Sequence, residues 1–216
     1  MYVRRVNGKE LTLRVSGKLW MRSLVMSDLE TETEWAHLLG RGMAGPLKGS
    51  KLRPIAADMV TWGVWKKAHP QTTVMDMPAR RSEYTSKFYR DPQRFVYGIM
   101  VQGKPWHIPY RDLKNTEIHS AILEQQPLLF AFDKEGAAPR VFSCVVEGET
   151  LVFESAGALR VKDRTSGSLW DVRTGQAVSG PRSGSYLEQW VGIMSFKTAW
   201  QNFHPESQQI SYPPKR

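Results

Sequence analysis

Leu11, Leu13 and Val15 alternate with polar residues, and Leu151 and Phe153 repeat the pattern late in the chain. A period of two is that of a half-buried strand with one face on a core. Asn7-Gly8 and Glu147-Gly148 stand just ahead of these stretches and predict hairpin turns. Gly40 to Pro46 and Gly175 to Pro181 read as strand–turn segments, with glycine supplying positive φ and proline fixing the next residue. Further on the period lengthens. Thr61, Val64, Trp65 and Ala68 fall at i, i+3, i+4 and i+7, and Phe196, Ala199, Trp200 and Phe203 occupy the same slots. That spacing predicts a short amphipathic helix in each region, stopped by His69-Pro70 and His204-Pro205, with Trp65 and Trp200 as anchors on the buried face. Between the regions, Phe95–Val101 and Leu128–Phe132 predict strands, with a short helix over Asn115–Glu124. The fold class is therefore α+β and β-rich: two related repeats of short antiparallel strands, each ending in a short amphipathic helix.

The two regions are copies of one another. Asp28 through Thr72 aligns without a gap on Asp163 through Ser207, 135 positions later, and 12 of these 45 positions are identical. Nine of the twelve fall on Asp, Trp, Gly, Pro and His, among them Trp35 with Trp170, Gly45-Pro46 with Gly180-Pro181, and His69-Pro70 with His204-Pro205. Such residues seldom coincide by chance, and a fixed-period match is the mark of a repeated structural unit. Upstream the offset is 140, where Val6, Gly8 and Leu11 meet Val146, Gly148 and Leu151, so the second copy is five residues shorter. The domain boundaries expected are 1–78 for a partial first repeat, and 79–216 for the linking strands and second repeat packed as one unit.

Composition narrows the classes. Hydrophobic residues make up 41% of the 216, enough for a sizeable core, and no apolar run is long enough for a membrane helix. Cys144 is the sole cysteine, which excludes an intrachain disulfide framework and any multi-cysteine metal site. No apolar run follows the basic N-terminus, so the sequence as it stands reads as cytoplasmic; a true start further upstream would leave an extracytoplasmic location open. The net charge of +9 asks for an acidic partner or a solvated basic face. Arg80, Arg81, Lys87, Arg90 and Arg94 cluster among Tyr84, Phe88 and Tyr89, a mixture suited to nucleic acid or another polyanion. The spread of basic residues along the whole chain favours the solvated face.

The best candidate chemistry is the duplicated Asp-to-Trp segment. Asp28, Thr31 and Trp35, with Ser166 and Trp170, combine a carboxylate, hydroxyls and a stacking wall, a set suited to a small polar or carbohydrate-like ligand. A hydrolase would use Asp163, Ser168 and His204, with Asp163 and His204 as acid and base. The same residues also make good turns, since an Asp carboxylate and nearby hydroxyls tie down backbone amides. Duplication favours the turn, because catalysis needs no second copy. No His-x-x-x-His spacing, nucleophile elbow or phosphate loop is present, so no metal site is assigned and the cofactor stays unknown. The partner is a small molecule or a polymer, and unpaired strand edges would favour self-association.

The combination of motifs resembles a bacterial and archaeal domain-of-unknown-function family, numbered 3179, over nearly the whole chain. The residues that carry it are Asp163, Ser166-Gly167-Ser168, Trp170, Thr174-Gly175, Ala177, Gly180-Pro181 and Trp200, with Asp28, Thr31, Trp35, Gly45-Pro46, Trp62 and Trp65 in the first copy. The resemblance implies an upstream segment bearing an Asn-Trp-His-Glu-like helix and a Cys-Pro-Leu-Cys-like turn. The internal equivalents here are Lys114 to Glu117, which keeps only the Glu, and Asp133 to Gly136, which has no cysteine. The first copy lacks the strand–helix–strand half that precedes the second, which leads to the expectation that Met1 is a truncated or mis-assigned start. The resemblance implies no particular reaction.

Overall fold

A computed structural model describes residues 1–74, 94–115, 117–157 and 159–211. The first copy opens on the hairpin β1 (Arg5–Val6) and β2 (Lys9–Glu10), turned at Asn7-Gly8, where both residues have positive φ. An antiparallel sheet follows in the order β3 (Leu13–Trp20), β4 (Ser23–Asp28), β5 (Glu34–Ala36) and β6 (Arg41–Ala44), and then helix α1 (Trp62–Ala68). The middle of the chain forms β7 (Phe95–Val101), β8 (Lys104–Pro109), α2 (Tyr110–Asn115), β9 (Ile118–Leu123), β10 (Gln126–Asp133) and β11 (Ala138–Ser143).

The second copy repeats the hairpin as β12 (Val145–Val146) and β13 (Glu149–Thr150). Its sheet runs β14 (Phe153–Ser155), β15 (Arg160–Asp163), β16 (Leu169–Asp171) and β17 (Gln176–Ser179). It is followed by β18 (Gly192–Phe196), α3 (Lys197–Phe203) and β19 (Gln208–Gln209). A last sheet has the order β18-β7-β8-β19, in which only the β19–β8 pair is parallel.

The copies match in detail. The core of the first contains Val6, Leu11, Met26, Trp35 and Leu52; the second buries Val146, Leu151, Val161, Trp170 and Leu187 at the corresponding positions. Irregular contacts repeat too. The bridge between Arg41 and Lys51 recurs between Gln176 and Tyr186, and that between Tyr2 and Pro54 recurs between Phe142 and Gln189.

The surroundings of the copies differ, and β10 explains why. Its Leu129 and Ala131 pack into the core of the second copy, while Leu128, Phe130 and Phe132 pack under the β18-β7-β8-β19 sheet. A strand buried on both faces needs apolar residues at successive positions, and Leu128-Leu-Phe-Ala-Phe132 supplies them. Among the described residues the first copy has no such central sheet beneath it, and its buried core is smaller.

Three expectations are corrected by the packing. Trp65 is not a core anchor: it is 41% exposed and α1 buries none of its residues, whereas Trp200 on α3 is 1% exposed. Trp200 lies against Gly98 of β7, so close that a Cβ there would come within 2.4 Å of the indole, and among the described residues no strand packs against α1 in this way. Val15 is 68% exposed because β3 is an edge strand with a bulge between Val15 and Leu19. The helix expected over Asn115–Glu124 is instead α2, ending at Asn115, followed by β9. The positive φ of Glu124 and Gln125 turns β9 back onto β10, so the segment is fixed by a hairpin.

The five extra residues of the first copy lengthen the β3–β4 hairpin. Trp20 at its tip meets Phe203 of α3 edge to face at 4.9 Å, so the hairpin reaches across to the second copy. Asp58 makes a second tie. Its Oδ2 accepts from Arg140 Nε at 2.7 Å and its Oδ1 accepts from Gln189 Nε2 at 2.9 Å, joining the first copy to β11 and to the segment before β18.

Candidate functional site

The Asp-to-Trp segment forms the same hydrogen-bonded knot in each copy. Trp35 Nε1 donates to Asp28 Oδ2 at 2.8 Å, and the Thr31 amide donates to Oδ1 at 2.6 Å. The Thr31 hydroxyl also bonds the carboxylate, at 2.8 Å, and meets the Thr33 hydroxyl at 2.7 Å; the Leu47 amide then donates to Thr33 Oγ1 at 3.0 Å. In the second copy Trp170 Nε1 donates to Asp163 Oδ2 at 2.9 Å and the Ser166 amide to Oδ1 at 2.6 Å. Ser166 Oγ donates to Oδ2 at 2.8 Å and meets Ser168 Oγ at 2.6 Å, which accepts from the Arg182 amide at 3.0 Å.

Each knot closes under a Gly-Pro loop. A Cβ at Gly45 would lie 2.8 Å from Thr33 Cα, and one at Gly180 2.7 Å from Ser168 Cα, so the loop backbone sits directly on the hydroxyl residue. Both glycines also have positive φ. This is why the sequence repeats Gly-Pro at a fixed distance after the Asp.

Asp28 and Asp163 have no exposed surface. Burial alone would raise their pKa, but the indole, hydroxyl and amide donors outweigh it and hold both carboxyls below the ordinary value. The knots join two hairpins of each sheet through ionised, satisfied carboxylates, and the Trp35 and Trp170 faces are covered by core side chains.

The remaining predicted site residues lie elsewhere. Asp163, Ser166 and Ser168 come together, but His204 does not join them. It stacks against Trp200, with ring centroids 4.4 Å apart, at the C-terminus of α3. Arg80, Arg81, Lys87 and Arg90 lie outside the described residues, and Arg94 is exposed just ahead of β7. Cys144 is buried and its thiol is pushed up to about 12, so it carries no thiolate at neutral pH. Among the described residues, no group of three or more His, Cys, Asp or Glu side chains could hold a metal ion. No described helix is long and apolar enough to cross a membrane.

His204 instead lines a cavity of about 620 Å³ where the first copy meets the β18-β7-β8-β19 sheet. Tyr2, Trp190 and Trp200 supply its aromatic walls, Leu38 and Ile193 much of the apolar lining, and Arg41 and Lys51 its basic residues. The Tyr2 hydroxyl donates to the His37 carbonyl at 2.6 Å, and burial raises that phenol to about 12. A second cavity of about 550 Å³ shares Leu38 and Ile193 with the first and is also lined by Phe196. The sequence reading missed Tyr2, Arg41, Lys51 and Trp190. Comparison of the copies held the available signal, since these positions carry Phe142, Gln176, Tyr186 and Ile55 in the opposite copy.

The family is decided by a model described as "Protein of unknown function (DUF3179)", which matches the chain twice, over residues 1–94 and 84–207. The chain belongs to the DUF3179 family. Neither the curated proteins nor the solved structures gave a match. The two matches on this DUF3179 chain accord with its internal duplication.

Buried histidines give the DUF3179 chain a pH dependence. Burial lowers the pKa of His204, against the opposing charge of Glu206; burial and then the charge of Lys197 lower that of His107, whose Nδ1 lies 2.8 Å from Ser207 Oγ. The folded state therefore resists protonation that the unfolded chain accepts near the ordinary value of 6.5. Their contribution is complete above 6.5 and is lost as pH falls through the lowered folded values. Asp28, Asp133 and Asp163 add a second loss only below the carboxylate value of 3.8. Urea midpoints measured across pH should be level above about 6.5, fall below it, and fall again below about 3.8.

Proposed function

We propose that this chain is a binding module that takes a small ligand in the cavity between its two copies, the copies themselves serving as scaffold. The carrying observation is the cavity of about 620 Å³, walled by Tyr2, Trp190 and Trp200. Small-molecule sites are concave, mostly apolar and of this size, with a few polar groups that fix orientation. Gln189 and His204 on the wall supply such groups, and the aromatic walls suit a small polar or carbohydrate-like ring.

In this reading residues 1–78 form the first repeat, and 79–216 the linking strands and second repeat. Each repeat closes on a short amphipathic helix, α1 or α3. The duplicated Asp-to-Trp knots brace the sheet of each copy. The hydrolase alternative has less support, because the Asp163 carboxylate is engaged by Trp170 and Ser166 while His204 faces the cavity.

Saturation-transfer NMR with glucose, N-acetylglucosamine, glucose 6-phosphate and dodecanoate tests the reading. Met100 lines the cavity and is 43% exposed, so Met100→Trp should fill space without disturbing the core. Transfer to at least one of these molecules is expected, and it should disappear in Met100→Trp. Transfer to none of them, or transfer that survives the substitution unchanged, contradicts the proposal.

A further inference from the structure

The duplication provides an internal control for what the fold requires. Arg41 and Lys51 face each other across an antiparallel bridge, and both line the cavity. Like charges directly opposite one another on a sheet are destabilising. No carboxylate among the described residues forms an ion pair with either, and the Glu188 carboxylate on the same wall pairs with neither. The second copy builds the same bridge from Gln176 and Tyr186, so the scaffold does not need two cations there. Two exposed cations kept side by side on the lining of an apolar cavity, at a bridge that the second copy builds from neutral residues, have the chemistry of a receptor for a negative charge.

We propose that the cavity ligand is an amphipathic anion. Its single acid group lies between Arg41 and Lys51, and its apolar body extends along Leu38 and Ile193 toward Trp190 and Trp200. This rests on the cavity being the binding site and names the class of molecule that the site takes. A carboxylate and a phosphate monoester share the needed chemistry. The acid group pairs with the two cations and the apolar body covers the lining, which neither a free inorganic anion nor a neutral sugar would do together.

Two fluorescent probes that share one body separate the charge from the cavity. 1-Anilinonaphthalene-8-sulfonate carries an acid group; N-phenyl-1-naphthylamine is the same framework without it. On the native chain the sulfonate should bind about tenfold more tightly or better. The double substitution Arg41→Gln with Lys51→Tyr installs the residues of the second copy and should remove that preference, leaving the neutral probe within about twofold of its native Kd. Arg41→Lys should retain the preference, and circular dichroism of all variants should match the native chain. Met100→Trp should weaken both probes.

Equal binding of the two probes, or a sulfonate Kd untouched by the double substitution, overturns the anion assignment while a response to Met100→Trp leaves the cavity site standing. If neither probe responds to Met100→Trp, the cavity itself is not the site. Displacement of the sulfonate by dodecanoate or by dodecyl phosphate supports the proposal and reads which acid is preferred. Displacement by dodecanol as effective as both overturns it.

Discussion

Asp163→Ala should lower the free energy of unfolding by about 3–5 kcal/mol, and Asp28→Ala by the same amount to within about 1 kcal/mol. Either substitution removes a buried carboxylate and leaves an indole N–H and a backbone amide facing it without an acceptor. Each stranded donor costs roughly 1–3 kcal/mol, against a total stability of about 5–15 kcal/mol for a domain. The near-equality of the two losses is the sharper part of the expectation. It follows from the same donors, at distances that agree within 0.1 Å for the indole bonds, 2.8 Å and 2.9 Å. Urea denaturation followed by tryptophan fluorescence measures both. A loss below about 1 kcal/mol in either variant would mean that the carboxylate is not holding the sheet.

Trp200→Ala should cost about 3–5 kcal/mol, while Trp65→Ala should cost less than about 1 kcal/mol, although the residues occupy equivalent places in the repeat. Both indoles donate to a hydroxyl seven residues on, Trp65 to Thr72 at 3.0 Å and Trp200 to Ser207 at 2.8 Å. Both also lie against the histidine that ends the helix. The local motif is therefore shared, and the difference lies in what is underneath. Trp200 covers Gly98 and joins a cluster with Leu38 and Val96, whereas no residue of α1 is buried. Thermal unfolding of the two variants separates local sequence from tertiary context. Equal losses would show that α1 has a packing partner like that of α3.

The strands and turns set by local chemistry were legible in the sequence. Asn7-Gly8 and Glu147-Gly148 make hairpins because positive φ is a local property of those residues. Phe95–Val101 is a strand over that whole range, since its apolar run and the turn after it agree. The Asp-to-Trp segment was legible as a repeated unit, though the bond from the Trp indole to the Asp carboxylate was not, because sequence spacing does not say which way an indole nitrogen points. Trp65 was misread because helical period reports that a face is apolar and says nothing of whether a sheet lies below it. The segment over Asn115–Glu124 carried a weak helical pattern that the Glu124-Gln125 hairpin overrode. The cavity was invisible for a different reason: Tyr2, Arg41, Lys51, Trp190 and His204 come from distant stretches of chain and meet only in the assembled fold.

Hydrogen exchange of the indole Nε1 protons of Trp35 and Trp170, followed by NMR, tests the shared knot most directly. Each proton is bonded to a carboxylate with no exposed surface. Both should therefore be strongly protected, exchange only when their own copy opens, and lose that protection in Asp28→Ala and Asp163→Ala respectively. Rapid exchange of either proton in the native chain, or protection of one that survives loss of its Asp, would contradict the account.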